Sequence, residues 1–326
     1  MPAIPYTTAT REQREQRARR DTRHDRWFRI TLLTAALLVL FVMLGAAVST
    51  LWGGRLAFTT FGWSFLNSSE WDVVNGRFGA LVPIYGTLVT SLIALILAVP
   101  VSFGIALFLS EIAPPWLRTP VASAVELLAG IPSIIYGMWG LFVFGPFMAE
   151  YLAPWINDYL GAIPVIGGLF QGPALGIGML SAGIILAIMI LPFITSVMYE
   201  VFRTVPQQLK ESAYALGSTT WEVCWDIVLP YTRSAVVGGI FLGLGRALGE
   251  TMAVTFVLGN AHQLSLSLMM PSSSIASVIA NEFNEAYTDL HRSSLIALGF
   301  LLFVVTFIVL MMARLMLARM SRRAGN

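Results

Sequence analysis

Lysine, cysteine and histidine are scarce in this sequence. Lys210 is the one lysine, Cys224 the one cysteine, and His24, His262 and His291 the three histidines among 326 residues. Each shortage excludes some chemistry. A Walker A phosphate cradle needs a lysine at the end of a glycine-rich loop, and Lys210 sits in Gln-Gln-Leu-Lys-Glu. The chain therefore does not hydrolyse ATP by that route. A single cysteine forms no internal disulfide, and the expected role of Cys224 is a small packing residue. Neither a His-Glu-x-x-His pattern nor a Gly-x-Ser-x-Gly elbow occurs, so metal-dependent and serine hydrolysis have no support. Charge is sparse as well: 12% of residues are Asp, Glu, Lys or Arg, where soluble domains carry about twice that share.

Apolar residues fill the gap, at 56% of the chain. They come in blocks long enough to cross a bilayer, which marks an all-α integral membrane protein. Residues 1–29 are polar, with eight arginines from Arg11 to Arg29 offset by four acids. They read as a cytoplasmic tail or short helix; no aromatic interleaving supports nucleic-acid binding. A first span is expected over 30–51. It has no small-residue cleavage site after it, so it reads as an anchor and not a signal peptide. Further spans are expected over 83–109, 121–144, 174–197, 232–258 and 292–312. Residues 52–82, 145–173 and 259–291 then form outer loops, the second of them with a short surface helix. The corresponding division is a tail 1–29, a first helix 30–52 with its loop to 82, a core 83–317 and a tail 318–326. With the N-terminus inside, inner segments hold 16 of the 20 Lys and Arg. Six spans with both termini cytoplasmic follow from that bias.

Two ionisable residues stand out in the fifth expected span, Arg246 and Glu250 in Gly-Leu-Gly-Arg-Ala-Leu-Gly-Glu-Thr. Arg246 lies 14 residues past Thr232, roughly 20 Å along a helix and near mid-membrane. An arginine there costs at least about 2.5 kcal/mol to insert. The spacing of four places Glu250 on the same helical face. Two readings stand: a self-neutralising pair that holds helices together, or an anion site on an aqueous path with Arg246 as a multi-donor fork. Gly239 with Gly243 and Gly245 with Gly249 admit either a close helix or a ligand. Glu126, in the third expected span, lies near enough to the cytoplasmic edge to snorkel.

The stretch 199–231 is a polar interruption between two apolar spans, yet it is rich in helix formers and holds Trp221 and Trp225. Within it stand Glu211-Ser212-Ala213-x-x-x-Gly217 and, nine residues on, Ile227-x-Leu229-Pro230. This pattern resembles the EAA loop of ATP-binding-cassette importer permeases, with Ser212 where a second alanine is usual. The chain from about residue 60 is also similar to phosphate-transporter permeases of the PstC type. The segments that carry this are Phe61–Phe65, Tyr85–Ser91, Glu126–Gly137, Leu186–Thr195, Gly245–Ala253 and Ala280–Phe283. The sister PstA permeases share several of them.

The resemblance implies a type I (MetI-like) permease fold in a bacterial inner membrane. It implies a non-enzymatic transport subunit that holds no cofactor, with ATP and Mg bound by partner ATPases. The implied partners are a PstA-like permease, two PstB-like ATPases and a PstS-like phosphate-binding protein. The implied substrate pathway holds Arg246 and Glu250. Coupling to the ATPase falls to Glu211, Ser212, Ala213, Gly217, Ile227, Leu229 and Pro230. The alternatives are another oxyanion or solute within the same class, or an ion-coupled secondary transporter using Glu126 or Glu250.

Overall fold

The computed structural model describes residues 11–324, with side chains from 25 to 318. Residues 1–10 of the expected tail, and the side chains of His24, Arg319, Arg322 and Arg323, lie outside the described residues. Among the described residues six helices are long and apolar enough to cross a membrane. They are Asp25–Gly53, Leu81–Ile112, Ser133–Tyr159, Met179–Arg203, Thr220–Leu248 and Asp289–Ala318, called here the first to sixth spans.

The chain divides into two compact units, one ending at Trp52 and one beginning at Gly53. In the first, a single helix continues the arginine-rich segment directly into the span. The hydroxyls of Thr31, Thr34 and Thr50 are satisfied within the helix, as apolar surroundings require. Thr34 Oγ1 donates to the Ile30 carbonyl at 2.8 Å, and Thr50 Oγ1 to that of Ala47 at 2.9 Å.

The third span and the start of the fifth depart from expectation, and prolines bear on both. The third span runs over Ser133–Tyr159 and not 121–144. A separate helix, Pro115–Ala129, precedes it and carries Glu126 on an exposed face. The helix of the fifth span begins at Thr220, so residues 220–231 continue that helix and are not a loop. Among the described residues, each of the four π-helical turns ends two residues before a proline. The turns are Phe108–Ile112, Gly140–Phe144, Met148–Leu152 and Cys224–Val228, ahead of Pro114, Pro146, Pro154 and Pro230. A proline lacks an N–H and its ring meets the carbonyl four residues back. The wider turn relieves that clash, and the residue before each proline donates five positions back, as Leu229 does to Cys224. At the last three positions the helix passes through its proline.

The core of this unit lies between the second, fourth and fifth spans. Ala94 and Ala98 of the second span and Met189, Ile190, Ile194, Met198 and Phe202 of the fourth are all buried in one cluster. Glycine sets the distances. A Cβ on Gly183 would lie 2.5 Å from Ile93 Cγ2, and one on Gly243 would lie 2.6 Å from Ile194 Cγ1. Gly239 is similarly pressed against Val197. Of the two small-residue pairs, Gly239 and Gly243 therefore serve helix contact. Gly245 and Gly249 have nothing nearer than 3.7 Å and leave space. Cys224 is buried, in keeping with a packing role.

Outside the spans, the segment 53–80 and the loop 259–288 form a second cluster. A two-residue hairpin pairs Trp71–Asp72 with Arg77–Phe78, and Phe65 and Phe78 are buried in this cluster with Leu295 and Leu298 of the sixth span. Glu282 ties the two segments. Its Oε2 accepts from Trp71 Nε1 at 2.9 Å and lies 2.9 Å from His291 Nε2, while Oε1 lies 3.1 Å from His262 Nε2. Two histidines that are scattered in sequence thus converge on one carboxylate. The Phe78 and His291 rings stack at 5.0 Å.

Two outcomes follow from these packings. Gly243→Val drives a branched side chain into Ile194 and should lower stability by about 1–3 kcal/mol, whereas Gly245→Ala should be neutral; thermal unfolding of the purified protein in detergent measures both. Glu282 concerns pH. Burial pushes its carboxyl up, but hydrogen bonds from His262, Trp71 and His291 outweigh this and hold it below its ordinary value of 4.5. A depressed carboxyl adds stability above the unfolded value and loses it as pH falls through the folded value. The advantage of the unaltered protein over Glu282→Gln should hold at neutral pH and shrink once pH drops below 4.5. A constant advantage would show that the carboxylate is not the tie.

Candidate functional site

The polar stretch resolves into a short helix and a sharp return. Pro206, with extended backbone, starts the helix Gln207–Ala215. The helix ends on Gly217, which has φ of +91°. Gly217 N–H donates to the Tyr214 carbonyl at 3.0 Å and Ser218 N–H to that of Ala213 at 3.1 Å. These are the two bonds of a Schellman termination, which needs a left-handed residue where glycine alone carries no Cβ penalty. The spacing from Glu211 to Gly217 is therefore one short helix and its stop. Thr219 then caps the fifth-span helix, accepting from Glu222 N–H while the Glu222 carboxylate accepts from Thr219 N–H at 2.7 Å.

The residues of the pattern divide by side. Glu211 and Ser212 are exposed, and Ser212 Oγ bonds back to the Gln208 carbonyl. Ala213 is buried and packs the helix on the body of the protein. Ile227 and Leu229 are half-buried in the fifth-span helix, and Pro230 lies exposed behind its π turn. Leu209, Tyr214 and Leu216 remain exposed, Leu216 at 89%. Beside them Trp221 and Trp225 pair with ring centroids 5.4 Å apart, both exposed. Clustered exposed apolar side chains of this kind mark an interaction surface.

The charged pair is arranged differently from the sequence expectation. The fifth-span helix stops at Leu248, and a new helix, Met252–Val257, starts after Thr251. Glu250 lies in the break. Its Oε1 accepts from Ala253 N–H at 3.2 Å, so it caps the second helix and does not stand one turn above Arg246. Arg246 occupies the last turn of the first helix. The helix dipole accounts for both placements: carbonyls at a C-terminus favour a cation, and amides at an N-terminus favour a carboxylate. No ion pair joins Arg246 to Glu250 among the described residues. Arg246 Cζ lies 5.7 Å from the Phe193 ring centroid, and its buried Nε has no hydrogen-bond partner. The self-neutralising pair is thus absent, and the guanidinium keeps donor capacity. The start of the third span abuts the second helix, where a Cβ on Gly137 would lie 3.0 Å from Ala253 Cα. Phe193 was not singled out in the sequence, and nothing there distinguishes it from other apolar residues of the fourth span.

Replacing Gly217 with Ala puts a Cβ into a left-handed position that has open space around it. The cost is backbone strain alone, about 1–2 kcal/mol. Circular dichroism of a peptide spanning 204–219 should show reduced helix content for the alanine form; equal helicity would mean that the Schellman bonds do not govern this helix.

Residues 102–322 match the family described as binding-protein-dependent transport system inner membrane component. The chain is 64% identical over 302 residues to the phosphate transport system permease protein PstC of Xylella fastidiosa (strain 9a5c), covering 93% of each. It is 56% identical over 301 residues to the protein of the same name from Mesorhizobium japonicum, covering 92% of each. Among solved structures, a bacterial alginate ABC transporter in complex with its alginate-bound periplasmic protein matches with a TM-score of 0.60 at 18% identity, covering 93% of this chain and 96% of that one. The MetNI methionine ABC transporter in an inward-facing conformation matches with a TM-score of 0.53 at 15% identity, covering 73% and 94%. At those identities the likeness is one of fold.

Proposed function

The chain belongs to the binding-protein-dependent transport system inner membrane components and is a multi-pass inner-membrane permease of a phosphate importer of the ATP-binding-cassette class, and on that premise we propose that Arg246 is the group phosphate meets in transit. The observation that carries this is the break after Leu248, which leaves the guanidinium unpaired beside Glu250. Arginine presents a planar fork suited to an oxyanion, and its charge persists at any working pH. In a site of low dielectric that charge offsets much of the desolvation of a passing anion. Glu250 moderates the attraction. Its second carboxylate oxygen also suits a proton-bearing phosphate oxygen, which sulfate lacks.

As a family member the chain is a transport subunit, itself not catalytic, that works with ATPase and substrate-binding partners. The finer assembly in this reading is a PstA-like permease alongside, two PstB-like ATPases that bind ATP and Mg, and a PstS-like phosphate-binding protein outside. Both termini then face the cytoplasm, consistent with the distribution of positive charge. The helix Gln207–Ala215 is the docking element for an ATPase, supported by exposed Leu209, Tyr214, Leu216 and the two tryptophans. Closure of the ATPases on ATP pushes this helix. The push reaches the fourth span through Thr204–Pro206 and the fifth through Gly217–Thr219, and the path changes its open side.

Arg246→Gln should leave assembly intact and reduce ATP-driven phosphate uptake by about 10- to 100-fold, on the scale of a lost buried charge-assisted contact. Arg246→Lys should recover little of it, because a point charge does not reproduce the fork. Uptake by right-side-out vesicles reports the outcome, and wild-type uptake by the glutamine variant contradicts the reading.

A further inference from the structure

Lys210, the one lysine of the chain, is buried. Its Nζ lies 2.6 Å from Glu111 Oε1, and the two side chains are only 9% and 6% exposed. Two other ion pairs, Arg77 with Glu70 and Arg203 with Glu200, are more than half exposed. Glu111 sits in the π turn that ends the second span. Lys210 and Ala213 are the buried residues of the helix Gln207–Ala215.

The chain connects that helix to the fourth span on one side and to the fifth on the other. It has no covalent link to the second span, and the ion pair is its polar tie there. Apolar contacts resist compression but slide under shear. A short charge-assisted bond resists both, because separating two desolvated charges leaves each without compensation. Beyond Glu111 the contacts continue. Ser102, fully buried on the second span, donates to the Leu191 carbonyl of the fourth at 3.0 Å. Two residues further along, Phe193 places its ring 5.7 Å from Arg246 Cζ. Phe103 also packs edge-on against Phe202, with centroids 5.6 Å apart.

We propose that the Lys210–Glu111 ion pair carries the displacement of the coupling helix into the second span, which makes both of them positioning residues for transport. The second span then moves with the fourth and fifth when the ATPase closes, and Phe193 is shifted beneath Arg246. This inference rests on the permease reading above. A pair that served folding alone would be replaceable by apolar side chains of similar volume, because such exchanges at buried ion pairs are often neutral for stability.

The test uses the complete transporter in vesicles with the binding protein, ATP and inorganic phosphate. It reads phosphate imported per ATP hydrolysed, a ratio that does not depend on how much complex assembles. Lys210→Met combined with Glu111→Leu should hydrolyse ATP while the ratio falls about tenfold, in the range of typical coupling between sites. Glu111→Gln, which keeps a hydrogen-bond acceptor, should show a smaller fall. Exchange of the two charges, Lys210→Glu with Glu111→Lys, should restore the ratio. An unaltered ratio in the apolar pair, or no recovery in the exchanged pair, overturns the proposal even where assembly suffers. ATP-independent uptake by the unaltered complex would overturn the permease reading and this inference together. An unchanged ratio in the apolar pair alongside ATP-driven uptake in the unaltered complex would overturn this inference alone.

Discussion

The break after Leu248 is the constraint on which the functional geometry depends. A continuous helix would set Arg246 and Glu250 one turn apart, where opposite charges in a low dielectric neutralise each other. Interruption at Gly249–Thr251 gives each charge a different counterpart. Arg246 has the C-terminal carbonyl end of one helix, and Glu250 the Ala253 amide at the start of the next. Discontinuous helices of this kind present ion-binding ends inside membrane transporters. They are tolerated there because irregular backbone lies against protein or a water-filled path.

The break is held by packing on both sides. Gly239 and Gly243 press the fifth-span helix onto Val197 and Ile194 of the fourth span, and Gly137 presses the third span onto Ala253. The arginine is thereby carried on helices in close contact, while Gly245 and Gly249 keep the adjacent volume open. The same glycine chemistry ends the short helix at Gly217, where the requirement is a left-handed backbone and not a close neighbour. Three uses of one residue type therefore position the site and the surface expected to move it.

Much of this was legible in the sequence. Apolar blocks revealed six spans, because the hydrophobic requirement of a bilayer is written in composition over about 20 residues. The helix formers of 199–231 and the resemblance of Glu211–Gly217 to the EAA loop pointed to a short helix there, and the structure adds its Schellman stop at Gly217. The boundaries of the third and fifth spans were not legible. The helices run through Pro146, Pro154 and Pro230 by way of π turns, which no local sequence pattern announces. The break at Gly249 was missed for the opposite reason: Arg-Ala-Leu-Gly-Glu carries no proline, and its helical spacing is intact. Contacts between distant segments were beyond sequence reading altogether. Lys210 with Glu111, and Glu282 with His262 and His291, are brought together by the fold and by no local pattern.

The central claim is that ATP, acting through partner subunits, drives phosphate past an unpaired arginine. Its most direct test is uptake of labelled inorganic phosphate by vesicles holding the complete complex and its binding protein, with sulfate or molybdate in excess. The account predicts uptake that requires ATP and persists against either competitor. Uptake that proceeds on an ion gradient without ATP, or that sulfate suppresses as well as unlabelled phosphate does, would contradict it.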